Sequence, residues 1–459
     1  MSRMGIAVDV WRCGRHDTLA VRRQQLRLAS LVEHTRQHSR YYADLYASLG
    51  SAEPSLHRLP VVRKPELMAQ FDDWVTDPRV TRAGVEKFAA NPDNIGGAFL
   101  GKYLVFTTSG TTGFPALLLQ DKLTLAVLEA FSVIRVAPRM INPEVVAAVL
   151  RGGGRTAAVW ATGLAFGGVS LVQRQVRQRP SRAKRIRLFS ALTPVDQLVD
   201  QLNDFQPVML SGYATALALL AREQQAGRLA IQPAVINNGG ETLTAEARAL
   251  IESAFGAKVF NGYGCSEMLM IAYDCGRGSM HVHSDWVILE PVDEHFRSVP
   301  PGEPSATVLL TNLANHIQPV IRYDLGDSVL MPLEPCACGS RLPAMEVIGR
   351  TNEVLGFPTT GGDVVELLPL PLVTLAEGAA GVRGVQLVQD APAALTVRLE
   401  VMPGYVLTQV WADIEARLRR HLAAHNLGTV KLTLAAEPPQ RVSGSGKLRQ
   451  VIARPSMAP

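Results

Sequence analysis

Small hydroxyl residues interleaved with glycines run from Thr107 to Pro115 as Thr-Thr-Ser-Gly-Thr-Thr-Gly-Phe-Pro, directly after a strand-like stretch. In such a loop the backbone can approach a polyphosphate closely, and N–H groups and hydroxyls of Thr108, Ser109, Gly110, Thr111, Thr112 and Gly113 would donate to its oxygens. The G-x-x-x-x-G-K-[ST] pattern is absent, so this is not a P-loop, and taken alone an ordinary Ser/Thr/Gly turn competes. Two more polar, Gly-rich segments, Asn237-Asn238-Gly239-Gly240-Glu241 and Asn261-Gly262-Tyr263-Gly264-Cys265-Ser266-Glu267, each follow a strand-like run. Loops at the C-terminal ends of strands are where α/β sheets bind ligands. Further on, Arg322-Tyr323-Asp324-Leu325-Gly326-Asp327 sets a carboxylate beside a glycine, suited to bidentate bonding of vicinal hydroxyls such as a ribose, with a solvated loop acid as the alternative.

A second constellation is Cys275, His281, Cys336 and Cys338. Three thiolates and one imidazole are enough for a closed tetrahedral zinc site, although neither half has a standard finger spacing and isolated structural cysteines compete. His283, two residues from His281, is the alternative ligand. A basic run from Arg174 to Arg187 contains no aromatic residue and runs into a strand-like segment, so it reads as a solvated face, with attraction of a ligand's phosphate as a minor role.

The elements that must position these residues alternate. Tyr103–Thr107, Val145–Leu150, Val208–Ser211, Ala234–Asn237 and Lys258–Phe260 read as strands, and Val195–Asn203, Ala214–Ala226 and Ala245–Phe255 as helices. That alternation predicts an α/β fold. Thr193-Pro194 reads as a cap and first helical position, and residues 18 to 50 as one or two amphipathic helices. Composition shifts after Arg350, where Gly- and Pro-rich chain precedes strands at Val385–Val388, Leu395–Val401 and Val430–Ala435 and a helix at Leu407–His421. A boundary near 350–353 therefore divides a large N-terminal domain, 1–350, with mixed sheets and helices, from a small C-terminal α+β domain, 351–459.

The chain has 459 residues, 47% hydrophobic and 19% charged, which excludes wholesale disorder and a stapled mini-protein. Forty-six basic against 41 acidic residues give a net charge of only +5, too little for a nucleic-acid footprint. Asp9 and Arg12 break any signal-peptide core, and the apolar stretch Ala157–Val172 is shorter than the roughly 20 residues a membrane span needs. Five cysteines, an odd number, argue against a disulfide framework. The expectation is a cytoplasmic protein without nucleic-acid or membrane partners, and a homodimer by default.

In this order and spacing the loops resemble those of the adenylate-forming superfamily of acyl-CoA synthetases, adenylation domains and luciferases. The chain is more closely similar to the phenylacetate–CoA ligase (CapK-like) branch. The likeness rests on residues 107–115, 238–241, 261–267, 322–327, Gly349-Arg350-Thr351-Asn352 and Gly446-Lys447, with Leu59-Pro60-Val61-Val62-Arg63-Lys64 similar to that branch's N-terminal signature. The resemblance implies that Thr108, Ser109, Thr111 and Thr112 hold the β- and γ-phosphates of ATP. Gly240 and Glu241 would line the adenine, with Tyr263 near it, Glu267 would bind Mg²⁺, Asp327 the ribose hydroxyls, and Arg350 would lie near the phosphates. Asn352 would be the hinge of a mobile C-terminal lid, and Lys447 would bridge the acid and the α-phosphate. Similar cysteine and histidine positions in the branch favour the Zn²⁺ site. Trp160, Phe166 and Tyr213 would contribute an aromatic-accepting wall.

The sequence departs from many relatives at Phe114-Pro115-Ala116-Leu117, where they carry a lysine, and at Cys265-Ser266. The implied reaction is ATP-dependent activation of a small carboxylic acid, aryl or arylacetic by weak preference, to an acyl adenylate, then transfer to CoA. Transfer to an amine or a carrier-protein thiol is the alternative, and a non-catalytic nucleotide-binding regulator a more distant one.

Overall fold

The computed structural model describes residues 2–49, 55–108, 116–348, 355–359, 363–440 and 450–453. An α/β architecture organises them. Helices Arg3–Cys13, Asp17–His38 and Arg40–Leu45 open the chain, followed by a three-stranded antiparallel sheet of Ala98–Phe99, Tyr103–Thr107 and Leu117–Gln120. Their apolar faces meet in one core with Phe106, Leu119, Phe131, Val287 and Ile321.

The centre of the molecule is a nine-stranded sheet. Strands Ile186–Ser190, Thr156–Trp160, Met209–Gly212, Val235–Asn238 and Val259–Cys265 lie side by side and parallel, in that spatial order. Helices Val195–Phe205, Ala214–Gln225 and Ala245–Phe255 connect them and bury Leu202, Leu217 and Ile251 against Ala157, Leu210 and Ile236. After Val259–Cys265 the sheet turns antiparallel through Met268–Asp274, Met280–Val282, Ala344–Val347 and Val329–Leu330. The reversal follows from the hairpin at Ser266-Glu267, whose tightness requires Gly264: a Cβ there would stand 2.1 Å from the Leu269 carbonyl oxygen. A separate antiparallel sheet joins Val287–Val292, Thr307–Asn312 and Val320–Asp324.

Residues from Leu355 onward form a third core of their own, in which Leu387, Val397, Ile414, Leu418 and Val451 are buried. Its four-stranded sheet runs Lys431–Leu434, Ala394–Val401, Val382–Ala391, Val451–Ile452, backed by helices Pro369–Glu377 and Leu407–Ala424. The expected boundary at 350–353 lies outside the described residues.

Two local expectations fail. Val145–Leu150 is not a strand but part of the helix Pro143–Arg151, capped by Asn142, whose side-chain oxygen accepts from the Val145 N–H at 2.8 Å. Short apolar runs do not distinguish strand from helix, and the Asn-Pro pair was the deciding signal. Before Val195–Phe205 the cap position is Pro194, with no side-chain cap bond, so Thr193 does not fill that role. The basic run leads into the edge strand Ile186–Ser190, where charged side chains suit an exposed sheet edge.

Candidate functional site

The loops singled out by residue type converge on one cavity of about 1380 Å³, lined by Lys64, Thr108, Glu241, Tyr263, Glu267 and Asp327. The two Gly-rich loops sit side by side because their strands are parallel neighbours. Asn238 ties them: its Nδ2 donates to the Glu241 carbonyl at 2.8 Å and to Asn261 Oδ1 at 2.7 Å. Gly240 has φ +79°, and a Cβ there would meet the Tyr213 ring at 3.2 Å, so both backbone and space favour glycine.

Glu241 Oε2 accepts from the N–H of Thr215 at 2.9 Å and from its hydroxyl at 2.7 Å, while its Oε1 is buried without a partner among the described residues. Burial pushes this carboxyl up to about 7, against the opposing pull of the Thr215 hydrogen bonds.

On the other wall the Tyr263 hydroxyl donates to Asp327 Oδ2 at 3.0 Å, and the Tyr323 hydroxyl donates to Glu267 Oε1 at 2.7 Å. Asp327 follows Gly326, whose N–H is held by Thr307 Oγ1 and Asp324 Oδ1, both at 3.1 Å. Glu267 is 7% exposed, and its own carbonyl accepts from Asn312 Nδ2 at 2.8 Å. A buried carboxylate with one oxygen oriented by a phenol is a hard, prepositioned oxygen ligand, and this donor chemistry fits Mg²⁺.

Ser109, Gly110, Thr111, Thr112, Gly113, Arg350, Asn352 and Lys447 lie outside the described residues. Trp160 and Tyr213 pack edge to face at 4.8 Å, with Phe166 in the same apolar cluster. The Tyr213 hydroxyl accepts from the Ala161 N–H at 3.4 Å, and burial raises this phenol further above its usual range.

The cysteines and His281 form a second cluster, in which the four ligand atoms all lie within 4.8 Å of one another. Cys275 Sγ and Cys336 Sγ are 3.7 Å apart, close to the edge of about 3.8 Å in a tetrahedron with 2.3 Å metal–sulfur bonds. His281 Nδ1 bonds the Leu342 carbonyl at 2.8 Å and turns Nε2 toward Cys338 Sγ, 3.2 Å away. A backbone carbonyl on the far nitrogen is the usual support of a metal-binding imidazole. Burial pushes the Cys336 thiol up, but hydrogen bonds from the Cys338 backbone and the His281 and Ser279 side chains outweigh it and hold the thiol at about 6. These residues fit Zn²⁺. His283 belongs elsewhere: its ring stacks on Phe131 at 3.7 Å and its Nδ1 lies 3.0 Å from Arg135, which pairs with buried Asp285.

Two features escaped the residue-type reading. Lys64, 7% exposed, donates to Thr108 Oγ1 at 2.9 Å, and Arg322 adopts φ +47° while fixing the chain around Leu59. Both depend on long-range strand contacts. The signal available was the single lysine of the Leu59–Lys64 segment.

No family model matches this chain. Across 161 residues it is 29% identical to the protein CapK of Staphylococcus aureus, a match spanning 34% of each chain and so about a third of that relative's length. A structure of 2-hydroxyisobutyryl-CoA ligase in complex with 2-HIB-AMP and CoA, in the thioesterification state, superposes with a TM-score of 0.53 at 21% identity. It covers 93% of this chain and 88% of that one. The same ligase in its postadenylation state with R3-HIB-AMP gives 0.51 at 20% identity, with the same coverage. This chain has the adenylate-forming fold. Within that fold the cavity described above lies at the C-terminal ends of the parallel strands, as expected of a ligand site in an open α/β sheet. No helix among the described residues is long and apolar enough to cross a membrane.

Proposed function

We propose that the protein is an AMP-forming acid–thiol ligase: it activates a small carboxylic acid with ATP as an acyl adenylate, releases pyrophosphate, and passes the acyl group to CoA. The observation that carries this reading is the convergence of Glu241, Tyr263, Glu267 and Asp327 on one cavity in a chain of this fold. In the ligase structure of the thioesterification state that fold holds 2-HIB-AMP and CoA.

The acid's carboxylate oxygen attacks the α-phosphorus, and charge accumulates on oxygens as pyrophosphate departs. The protein's task is then positioning and electrostatic stabilisation. Asp327, oriented by Tyr263, takes the ribose hydroxyls, and the Gly240-Glu241 turn lines the adenine. Glu267, oriented by Tyr323, holds Mg²⁺, which when bound neutralises phosphate charge. Thr108, with Ser109, Thr111 and Thr112, donates to the β- and γ-phosphates, Arg350 stands near them, and Lys447 bridges acid and α-phosphate. Asn352 is the hinge about which the C-terminal part turns between half-reactions. Zn²⁺ on the Cys275, His281, Cys336 and Cys338 cluster has a structural role, since four protein ligands leave no open position.

For the acid, aryl and arylacetic compounds are the first to test. The Trp160 indole is only partly buried, and two positions beside it, 168 and 239, are glycines, whose added Cβ atoms would stand 3.7 and 3.5 Å from the ring. Acid-dependent exchange of pyrophosphate into ATP, measured over a panel of aryl, arylacetic and aliphatic acids, tests the reading. Exchange with at least one acid supports it, and no exchange across the panel by folded protein overturns it.

A further inference from the structure

Between Glu144 and Asp196 the chain carries nine arginine and lysine residues and no carboxylate. These nine exceed the whole chain's net charge of +5, so everything outside the segment is net negative. An asymmetry of this kind points to an anionic counterpart. None of the nine forms an ion pair among the described residues. Some have local tasks: Arg155 Nε donates to the Gln206 carbonyl and Arg177 Nε to the Ile95 carbonyl, both at 2.9 Å, and Arg187 lies over the Phe205 ring at 4.8 Å. Protection of the open edge strand accounts for Arg187 alone. Arg151, Arg179, Lys184 and Arg185 are exposed, with no side-chain partner among the described residues.

The parallel strands gather these cations at one end of the sheet. Thr156 at the start of one strand donates its N–H to the Arg185 carbonyl at 2.7 Å, so Arg155 and Arg185 stand together where Thr156–Trp160 and Ile186–Ser190 begin. The Arg185 N–H in turn donates to the Arg182 carbonyl at 2.8 Å, in the turn Pro180–Lys184. The helix Pro143–Arg151 ends against the next strand's start, where a Cβ on Gly152 would stand 2.0 Å from Val208 Cγ2. The ligand cavity lies at the opposite, C-terminal ends, beyond five-residue strands about 13–17 Å long. The basic end therefore does not serve the nucleotide site.

An aliphatic ridge stands beside the cations. Val146 and Leu150, one helical turn apart, are 44% and 77% exposed, while Val145 and Val149 on the inner side pack against Val235 and Phe260. The aromatic residues of the segment, Trp160, Phe166 and Phe189, belong to the interior cluster, so no stacking platform for bases accompanies the charge. Exposed aliphatic groups among unpaired cations match the layered chemistry of a lipid headgroup region.

We infer that this end of the sheet is a docking surface for an anionic phospholipid bilayer, on which the cations meet lipid phosphates while Val146 and Leu150 enter the headgroup–acyl boundary. The chain rests on the bilayer rather than crossing it, and the ligand cavity at the other end of the strands stays open to solution. This revises the expectation of a chain without a membrane partner, and it stands apart from the ligase reading.

The test is cosedimentation of the full chain with vesicles of phosphatidylcholine alone and of phosphatidylcholine mixed with phosphatidylglycerol, over a range of salt. The unmodified chain is expected to bind the mixed vesicles, to ignore phosphatidylcholine alone, and to be released as salt rises. Each cation near an anionic leaflet is worth about fivefold in partitioning. A variant combining Arg151→Gln, Arg179→Gln, Lys184→Gln and Arg185→Gln should therefore bind at least about 20-fold more weakly. Leu150→Gln should cost about three- to tenfold and leave the steepness of the salt dependence unchanged, since it removes apolar contact only. Acid-dependent pyrophosphate exchange, measured without vesicles, should be the same in both variants as in the unmodified chain. An unmodified chain that stays in the supernatant with mixed vesicles overturns the inference, as does either variant, folded, binding like the unmodified chain. Tighter binding of duplex RNA than of mixed vesicles, with Leu150→Gln affecting neither, would make this a nucleic-acid face and overturn the lipid assignment. If the quadruple variant does not fold, Leu150→Gln and the salt series of the unmodified chain decide on the same terms. Absence of exchange in every chain would count against the ligase reading and leave this one standing.

Discussion

Replacing Cys336 by serine is the sharpest perturbation of the second cluster. Its sulfur lies 3.7 Å from that of Cys275, His281 is oriented by the Leu342 carbonyl, and the four ligand atoms lie within 4.8 Å of one another. The cluster joins Cys275, just after the strand Met268–Asp274, with His281 on Met280–Val282 and with the 336–338 loop ahead of Ala344–Val347. A metal there would fasten the antiparallel part of the large sheet. A ligand binding only the folded state at 100 times its Kd adds about 2.7 kcal/mol. In a unit of about 350 residues, with an unfolding entropy of about 2.1 cal/mol/K per residue, that is about 4 °C of melting temperature. Protein purified without chelator should contain about one zinc per chain by elemental analysis. A strong chelator should lower its melting temperature by that amount, and Cys336→Ser should melt lower from the start and respond little to chelator. Nucleotide binding should change less than stability, since none of the four ligands contacts Glu241, Glu267 or Asp327. Zinc-free protein, or a serine variant melting with the unmodified chain, would refute the assignment.

Lys447→Ala should suppress acid-dependent pyrophosphate exchange by about 10²-fold or more while largely sparing acyl transfer from a preformed adenylate to CoA. Equal losses in both half-reactions would contradict a domain that turns at Asn352. The Glu241 carboxyl, raised from an ordinary value of 4.5 to about 7 by burial, keeps a proton in the folded chain that the unfolded chain releases. Stability from this group is therefore full below about pH 4.5 and declines as pH rises through about 7. Glu241→Gln should gain on the unmodified chain across that window, by at most about 3 kcal/mol, in chemical denaturation at a series of pH values. A gap independent of pH would show that the carboxyl is not buried as described.

Much of this was legible in the sequence because local chemistry and fold agree. Tyr103–Thr107 and Ala245–Phe255 lie where residue type places them, as β-branched and aromatic runs or a capped helical period demand. The loops 238–241 and 261–267 were recognisable because glycine and asparagine follow apolar strands, and their parallel neighbours bring them together. The Val145–Leu150 run was misread because short apolar stretches serve either period, and Asn142-Pro143 carried the answer. His281 and His283 were not separable on spacing: only the end of the strand at Val282 sends the second ring toward Phe131 and Arg135. Lys64 and Arg322 were illegible as a pair, since nothing local links residues more than two hundred positions apart; the strand bridge at Val62 does.

The central claim is that an acid's own oxygen becomes bonded to the α-phosphorus of ATP before the acyl group reaches CoA. A turnover with acid labelled with ¹⁸O in both carboxylate oxygens, MgATP and CoA tests it directly, with products read by mass spectrometry. The account predicts acyl-CoA with one labelled oxygen, AMP with the other, and unlabelled pyrophosphate. Label in inorganic phosphate with ADP formed, or an amide in place of the thioester when amines are present alongside CoA, would contradict it.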